Sequence, residues 1–301
     1  MASRHGGIRC CDDDKNRWRV VGERSTVTVM ISRRHHVAVV NEEIAARGTY
    51  TTDAGVAVDV SADLAAARAG TVSYAPPRLA EMVRATPPSG ERPAIEVTGE
   101  GSVAAARRLF GEGARGPIGV LNFASARNPG GGYLGGARAQ EEDLCRSALL
   151  YTCLLKAPDY YAAHRASADL AYSHRVVVSP GVPVIRDDRG ALAAPFPVTF
   201  LTSPAPNAGE LARRPATVDI PAILGERAER VIAAAAHHGV RTLVLGAWGC
   251  GVFRNDPAHV ADAFDEALRT WGPALDRVVF AVWDRSAASP NRAAFEARFG
   301  G

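Results

Sequence analysis

Seven residues separate the triplet Gly130-Gly131-Gly132 from Gln140-Glu141-Glu142. The two glutamates are the groups of this chain best suited to bond-breaking chemistry. Hydrolysis of a glycosidic bond at a ribose anomeric carbon passes through an oxocarbenium-like state. It needs a protonated carboxyl to assist the leaving group and then a base to activate water. A neighbouring carboxylate and partial desolvation both raise a carboxyl pKa towards the range where it can do this. Successive helical residues point roughly 100° apart, as 3.6 residues per turn requires. Adjacent glutamates can therefore divide the work, one on the leaving group and one on ribose hydroxyls. Acidic residues in a first helical turn also stabilise the helix dipole, by about 0.3–1 kcal/mol. The glycines just upstream favour the chemical reading.

Those glycines belong to a long loop, residues 122–136, that follows an apolar strand and precedes a helix. A second loop, residues 246–255, has the same placement. Ligands of α/β folds sit at the carboxyl ends of strands. Glycine lets backbone N–H groups approach a phosphate, and a helix N-terminus adds a favourable dipole. Two such loops facing one another could hold a diphosphate. Gly130 to Gly135 formally matches G-x-G-x-x-G, but a dinucleotide-binding fold needs a strand ending in an acidic residue about 20 residues later. That position falls inside a predicted helix. A phosphate-binding P-loop sequence is absent.

Strands must hold these loops in place. Apolar patterning predicts strands over residues 55–60, 94–97, 118–121, 175–178, 198–201, 242–245 and 277–282. It predicts helices over 33–47, 102–110, 141–155, 220–238, 256–270 and 291–299. Gly48 suits a helix stop, while Pro76-Pro77, Pro87-Pro88 and Pro93 mark connections. Strands alternating with helices predict an α/β sandwich with a largely parallel or mixed sheet. Residues 1–32 carry six basic and four acidic side chains without periodicity and read as a disordered extension.

Composition sets the outer bounds. A content of 47% hydrophobic and 22% charged residues is that of an ordinary globular protein, and a net charge of +3 is too small to imply a nucleic-acid binder. No apolar stretch approaches the roughly 18 residues needed to span a bilayer. An acidic run at Asp12-Asp13-Asp14 replaces the apolar core of a signal peptide. Five irregularly spaced cysteines argue against a disulfide framework, so a cytoplasmic protein is expected. His5, Cys10 and Cys11 lack a complete zinc-like ligand set. His35-His36 and His237-His238 read as solvated helix ends. Cys250 reads as a small packing residue, Trp248 as core, and Arg127, Arg138 and Arg254 as groups that could neutralise phosphates.

The glycine triplet, its spacer and Gln140-Glu141-Glu142 resemble the signature of poly(ADP-ribose) glycohydrolases. Asn122-Phe123-Ala124-Ser125, Asn128-Pro129 and Glu142-Asp143-Leu144-Cys145-Arg146-Ser147 resemble the shorter, bacterial-type branch. The resemblance runs from about residue 33 to the C-terminus. It implies a macrodomain-like three-layer α/β/α sandwich with a mixed, mostly parallel sheet and an N-terminal helical extension. Residues 33–92 would be an accessory part and 93–301 the macrodomain core.

For the site, the resemblance implies Glu142 as general acid–base and Glu141 as the holder of hydroxyls on the ribose being cleaved. Substrate would be bound by Ala124, Ser125, Asn128, Gly130, Gly131, Gly132 and Gln140, and by Gly246, Gly249, Cys250, Gly251, Val252, Phe253 and Asn255. Within that set the glycine triplet and residues 249–252 would take the diphosphate, and Phe253 the terminal ADP-ribose. Adenine contacts are expected around residues 97–100. No metal or organic cofactor is implied. The expected activity is hydrolysis of ribose–ribose bonds in poly(ADP-ribose), mainly from chain ends, by a monomer with ADP-ribose as product ligand. The alternatives are a hydrolase of mono-ADP-ribosylated protein or nucleic acid, and a non-catalytic ADP-ribose reader. A reader has no use for a paired acid at the distal ribose.

Overall fold

A computed structural model describes residues 32–300 apart from 86, 88, 216, 217, 285 and 287. In chain order the first elements are α1 (Arg33–Arg47), β1 (Thr49–Thr51), β2 (Ala57–Asp59), α2 (Ser61–Gly70), β3 (Val72–Tyr74), α3 (Pro76–Arg84), β4 (Ala94–Thr98) and α4 (Ser102–Gly111). Next come β5 (Ile118–Phe123), α5 (Gln140–Ser147), α6 (Leu150–Leu154), α7 (Pro158–Arg165), β6 (Val176–Arg186) and β7 (Leu192–Ser203). The chain closes with α8 (Ala208–Leu211), α9 (Ile220–His237), β8 (Thr242–Leu245), α10 (Pro257–Trp271), β9 (Arg277–Ala281) and α11 (Pro290–Phe299).

Seven strands form one sheet in the order β3-β6-β7-β5-β8-β9-β4. The run from β7 to β4 is parallel, while β6 pairs antiparallel with both β7 and β3. β5 and β8 are buried almost throughout, so they read as continuous apolar runs rather than alternating ones, as strands covered on both faces do. One face is covered by α1, α2 and α4–α7 around Leu109, Leu150 and Tyr160, the other by α3 and α9–α11 around Val231, Phe264 and Phe295. The result is the expected three-layer, macrodomain-like α/β/α sandwich with a mixed, mostly parallel sheet.

Several local readings change. The helix predicted over 141–155 is two helices. Ala148 is extended (φ −124°, ψ 162°) and bridges Val184, and the Leu149 N–H donates to Pro183 O at 3.0 Å. The sheet captures two residues that local propensity would leave helical. Pro76-Pro77 opens α3 instead of only marking a connection, because first-turn N–H groups have no helical partner for proline to remove. The strand predicted over 55–60 shortens to β2, which pairs only with β1. Residues 176–178 and 198–201 lie in a long hairpin, β6–β7, which Arg175 just precedes. β1, β3, α2, α3 and α7 are too short or too weakly patterned for the sequence to declare.

Neither histidine pair is simply solvated. His35 Nδ1 donates to Leu134 O (2.6 Å), and His238 Nε2 pairs with the Tyr74 hydroxyl (2.9 Å). The reading of residues 1–32 falls, except for Ser32, outside the described residues, as does that of His5, Cys10 and Cys11. Ser32 itself caps α1, accepting from the His35 N–H at 3.2 Å. Among the described residues no group of three or more His, Cys, Asp or Glu side chains could hold a metal, and no helix is long and apolar enough to cross a membrane.

Candidate active site

The carboxylates are placed by the junction of β5 with α5. Gln140, first residue of α5, ties that junction together. Its Oε1 accepts from the Phe123 N–H (2.9 Å), and its Nε2 donates to Leu121 O (2.7 Å) and Ser102 Oγ (3.1 Å). With its amide committed on both sides, Gln140 acts as a staple between strand and helix.

Glu141 is 2% exposed. Its Oε2 accepts from the Ser125 N–H at 2.7 Å and its Oε1 from Asn122 Nδ2 at 3.3 Å. Asn122, fully buried, is anchored in turn on Thr202 Oγ1 of β7 (3.2 Å). Burial pushes the Glu141 carboxyl up to about 8 from the ordinary 4.5. The Ser125 and Asn122 donors pull it down, and nearby Glu142 adds to the rise.

Glu142 accepts from the Gly132 N–H through Oε1 (2.8 Å), while its Oε2 is buried with no hydrogen-bond partner among the described residues. Both carboxylates converge over Gly131. A Cβ on that residue, whose φ is +59°, would lie 2.4 Å from Glu142 Oε1 and 3.1 Å from Glu141 Oε2. The triplet therefore makes room for the protein's own acids. Gly130 and Gly132 also pack tightly, with Cβ positions 2.9 Å from the Tyr151 ring and 2.6 Å from Ala137 Cβ. Ala124 is buried beside Ser125, whereas Asn128 is exposed at the loop's outer turn. Arg127 turns away to Ser167 O (3.2 Å).

α1 braces this loop from outside. Besides the His35 contact, the Tyr133 hydroxyl donates to Glu42 Oε1 and Ala38 O, both at 3.3 Å. Asn41 Nδ2 covers the end carbonyls of α5 at Cys145 (3.2 Å) and Arg146 (2.8 Å). None of these side chains was a candidate from sequence, because the contacts span about a hundred residues.

The second loop leaves β8, the neighbour of β5. The two loops touch at their roots, since a Cβ on Gly246 would lie 3.2 Å from Phe123 Cζ and 2.6 Å from Ala281 O. Gly249 (φ +72°) has no room for a side chain either, with Ala205 Cβ at 2.4 Å and Asn255 Nδ2 at 2.5 Å. Asn255 is buried and closes the loop on itself, donating to Pro206 O (2.9 Å) and Gly249 O (3.1 Å). Trp248 is core, as expected, with its Nε1–H on Ser203 O (3.1 Å). Burial pushes the Cys250 thiol up to about 12, so it stays protonated and unreactive at neutral pH. Gly251 faces open space and Val252 is 82% exposed, so the loop tip is free to meet a ligand. Phe253 lies against Tyr172, ring centres 5.9 Å apart. Tyr172 carried no motif and was missed.

Residues 97–100 end β4, at the sheet edge beyond β9. Glu100 is held there by Arg108 at 2.6 Å, and exposed Trp283 follows the neighbouring strand.

An α/β/α sandwich that aims two helix-borne glutamates at the mouth between neighbouring strand-end loops has the makings of a glycosidase. The model of the microbial-type PARG catalytic domain matches residues 38–187. The structure of poly(ADP-ribose) glycohydrolase from Thermomonospora curvata is 47% identical over 88% of this chain and 99% of that one, with a TM-score of 0.84. Its complex with the inhibitor ADP-HPD aligns at 48% identity over 88% and 99% of the two chains, TM-score 0.82. The Deinococcus radiodurans enzyme in complex with ADP-ribose aligns at 46% identity over 80% and 98%, TM-score 0.74. The chain belongs to the microbial-type poly(ADP-ribose) glycohydrolase family, a family of glycosidases. No curated protein matches it.

Proposed function

We propose that the protein hydrolyses the ribose–ribose bonds of poly(ADP-ribose), releasing ADP-ribose mainly from chain ends, with Glu142 as general acid–base. The observation that carries this reading is the state of the Glu142 carboxyl. One oxygen is fixed by the Gly132 N–H, and the other is buried without a partner beside a second carboxyl. Buried polar atoms are normally satisfied, and exceptions point to a functional role. Glu142 gives its proton to the leaving ribose oxygen as the glycosidic bond breaks. It then takes a proton from the water that adds to the oxocarbenium carbon. Glu141, oriented by Ser125 and Asn122, holds hydroxyls of the ribose being cleaved. The first loop and the tip of the second bind the diphosphate, and Phe253 packs on the terminal unit.

The test is product analysis on defined polymer, mono-ADP-ribosyl protein and mono-ADP-ribosyl DNA. Free ADP-ribose should appear from polymer from the earliest times. Early accumulation of oligomers would overturn the chain-end mode. Turnover of either mono-ADP-ribosyl substrate but not polymer would overturn the substrate assignment.

We further take the protein to act as a monomer in the cytoplasm, which fits the free thiols of Cys145, Cys153 and Cys250. Residues 33–92 would be an accessory part of one cooperative unit with 93–301, since β3 extends the central sheet and α1 braces the glycine loop. Denaturant unfolding should then show one transition by both fluorescence and circular dichroism. Separate midpoints would make the two parts independent domains.

A further inference from the structure

Arg227 of α9 is fully buried, with no acidic side chain at ion-pair distance among the described residues. Its guanidinium instead donates to three backbone carbonyls, Pro204 O (2.6 Å), Ala171 O (2.8 Å) and Tyr172 O (3.3 Å). A cation is rarely placed in a core merely to hold carbonyls. Here two of the carbonyls, those of Ala171 and Tyr172, belong to an unusual turn, and the third, that of Pro204, ties the turn to the end of β7. Tyr172 has φ +60°, in the left-handed region that residues with a side chain seldom use.

The same turn is held from its other sides. His164 Nε2 accepts from the Ser173 N–H (3.2 Å) and lies 2.8 Å from Ser173 Oγ, while its Nδ1 donates to Tyr160 O (2.9 Å). Asp169 Oδ1 accepts from the Ala171 N–H (2.8 Å). What this bracing delivers is a ring position. The Tyr172 ring sits 5.9 Å from His164, edge-on, and 5.9 Å from Phe253, tilted by 39°. His164 in turn packs on Tyr160 of α7 at 4.7 Å. Aromatic contact thus runs unbroken from α7 to the tip of the second loop. Among the described residues only Tyr172 and Arg254 have positive φ without being glycine, and Phe253 is in ring contact with the first and bonded to the second.

We propose that Tyr172 is a positioning residue for the substrate. Its ring is the stop that sets Phe253, and Arg227 and His164 lock the backbone turn that holds the ring there. The inference rests on the reading that Phe253 meets the terminal ADP-ribose unit. Tyr172 touches that unit only through Phe253.

The test compares Tyr172→Gly and Tyr172→Phe with the parental protein, measuring ADP-ribose Kd by calorimetry, kcat and KM on polymer, and Tm. Glycine adopts φ +60° without strain, so the turn survives while the ring is lost. Tyr172→Gly should raise Kd and KM together by about 3–10-fold, the scale of one aromatic contact, with kcat changed by less than about 2-fold. Tyr172→Phe should restore parental values, because the ring and not the hydroxyl makes the stop. Parental Kd and KM in Tyr172→Gly, whatever its Tm, would overturn the proposal, and so would a Tyr172→Phe variant as impaired as Tyr172→Gly. An unaltered protein that neither binds ADP-ribose nor turns over polymer would instead refute the functional reading beneath it.

Discussion

Glu142→Gln should lower polymer hydrolysis by at least about 10²-fold, the lower bound for a general acid–base group, while ADP-ribose binding stays close to parental. The amide keeps the shape of the carboxylate, and its oxygen can still accept from the Gly132 N–H held at 2.8 Å. It cannot deliver or take a proton. Glu141→Gln should behave differently. Its two oxygens accept from Ser125 and Asn122, and an amide has only one acceptor to offer, so one donor is left facing an NH₂ group. Rate and affinity should therefore fall together.

Glu141 also makes stability depend on pH. Burial raises folded Glu141 to about 8 from 4.5, so the unfolded chain ionises this group first as pH rises. The stability it contributes is full below about pH 4.5 and is lost as pH climbs through about 8. Glu141→Gln should flatten that part of the Tm–pH curve. Hydrolysis by Glu142→Gln at the parental rate would remove Glu142 from the mechanism.

Gly131→Val should abolish both turnover and ADP-ribose binding in a protein that still folds. The sequence alone suggests that a branched side chain blocks a diphosphate. The structure adds an internal reason, since the new Cβ would stand 2.4 Å from Glu142 Oε1 and force the acid away. Displacing a catalytic group by about 1 Å can lower the rate about 10²-fold. Backbone strain at φ +59° adds a stability loss that must be separated from the site effect. Gly55→Val supplies the control. Gly55 has φ +84° and nothing within 4 Å of its Cβ position, so this variant should melt lower yet hydrolyse polymer normally. Gly131→Val that binds ADP-ribose at parental affinity, measured by calorimetry, would show that the triplet does not shape the site.

The candidate catalytic residues are legible because they are local. Glu141 and Glu142 lie ten residues from the glycines that shelter them, as the Gly132–Glu142 hydrogen bond shows, and one stretch of sequence holds both halves. Strands such as β5 and β8 announced themselves because burial on both faces selects mostly apolar residues. Long-range contacts were not legible. The break between α5 and α6 depends on a bridge to Val184 on a distant strand. The bracing by α1 depends on Asn41 and His35 reaching across some hundred residues. Arg227 and Tyr172 look unremarkable in the chain, and only the fold reveals a buried cation folded around a strained turn. Some motif residues also carry a structural task. Gln140 and Asn255 lie in the motifs but use their amides to bind the protein's own backbone.

The two loops are rooted on neighbouring strands, in register from Ile118 opposite Thr242 to Val120 opposite Val244. The separation of their roots is that of adjacent strands in a hydrogen-bonded ladder, about 4.8 Å, and no side chain sets it. The cleft has a fixed gauge, built from main chain, and glycine at 246 and 249 lets the second loop keep to it. Exposed tip residues such as Gly251 and Val252 can change while the anchor points stay put.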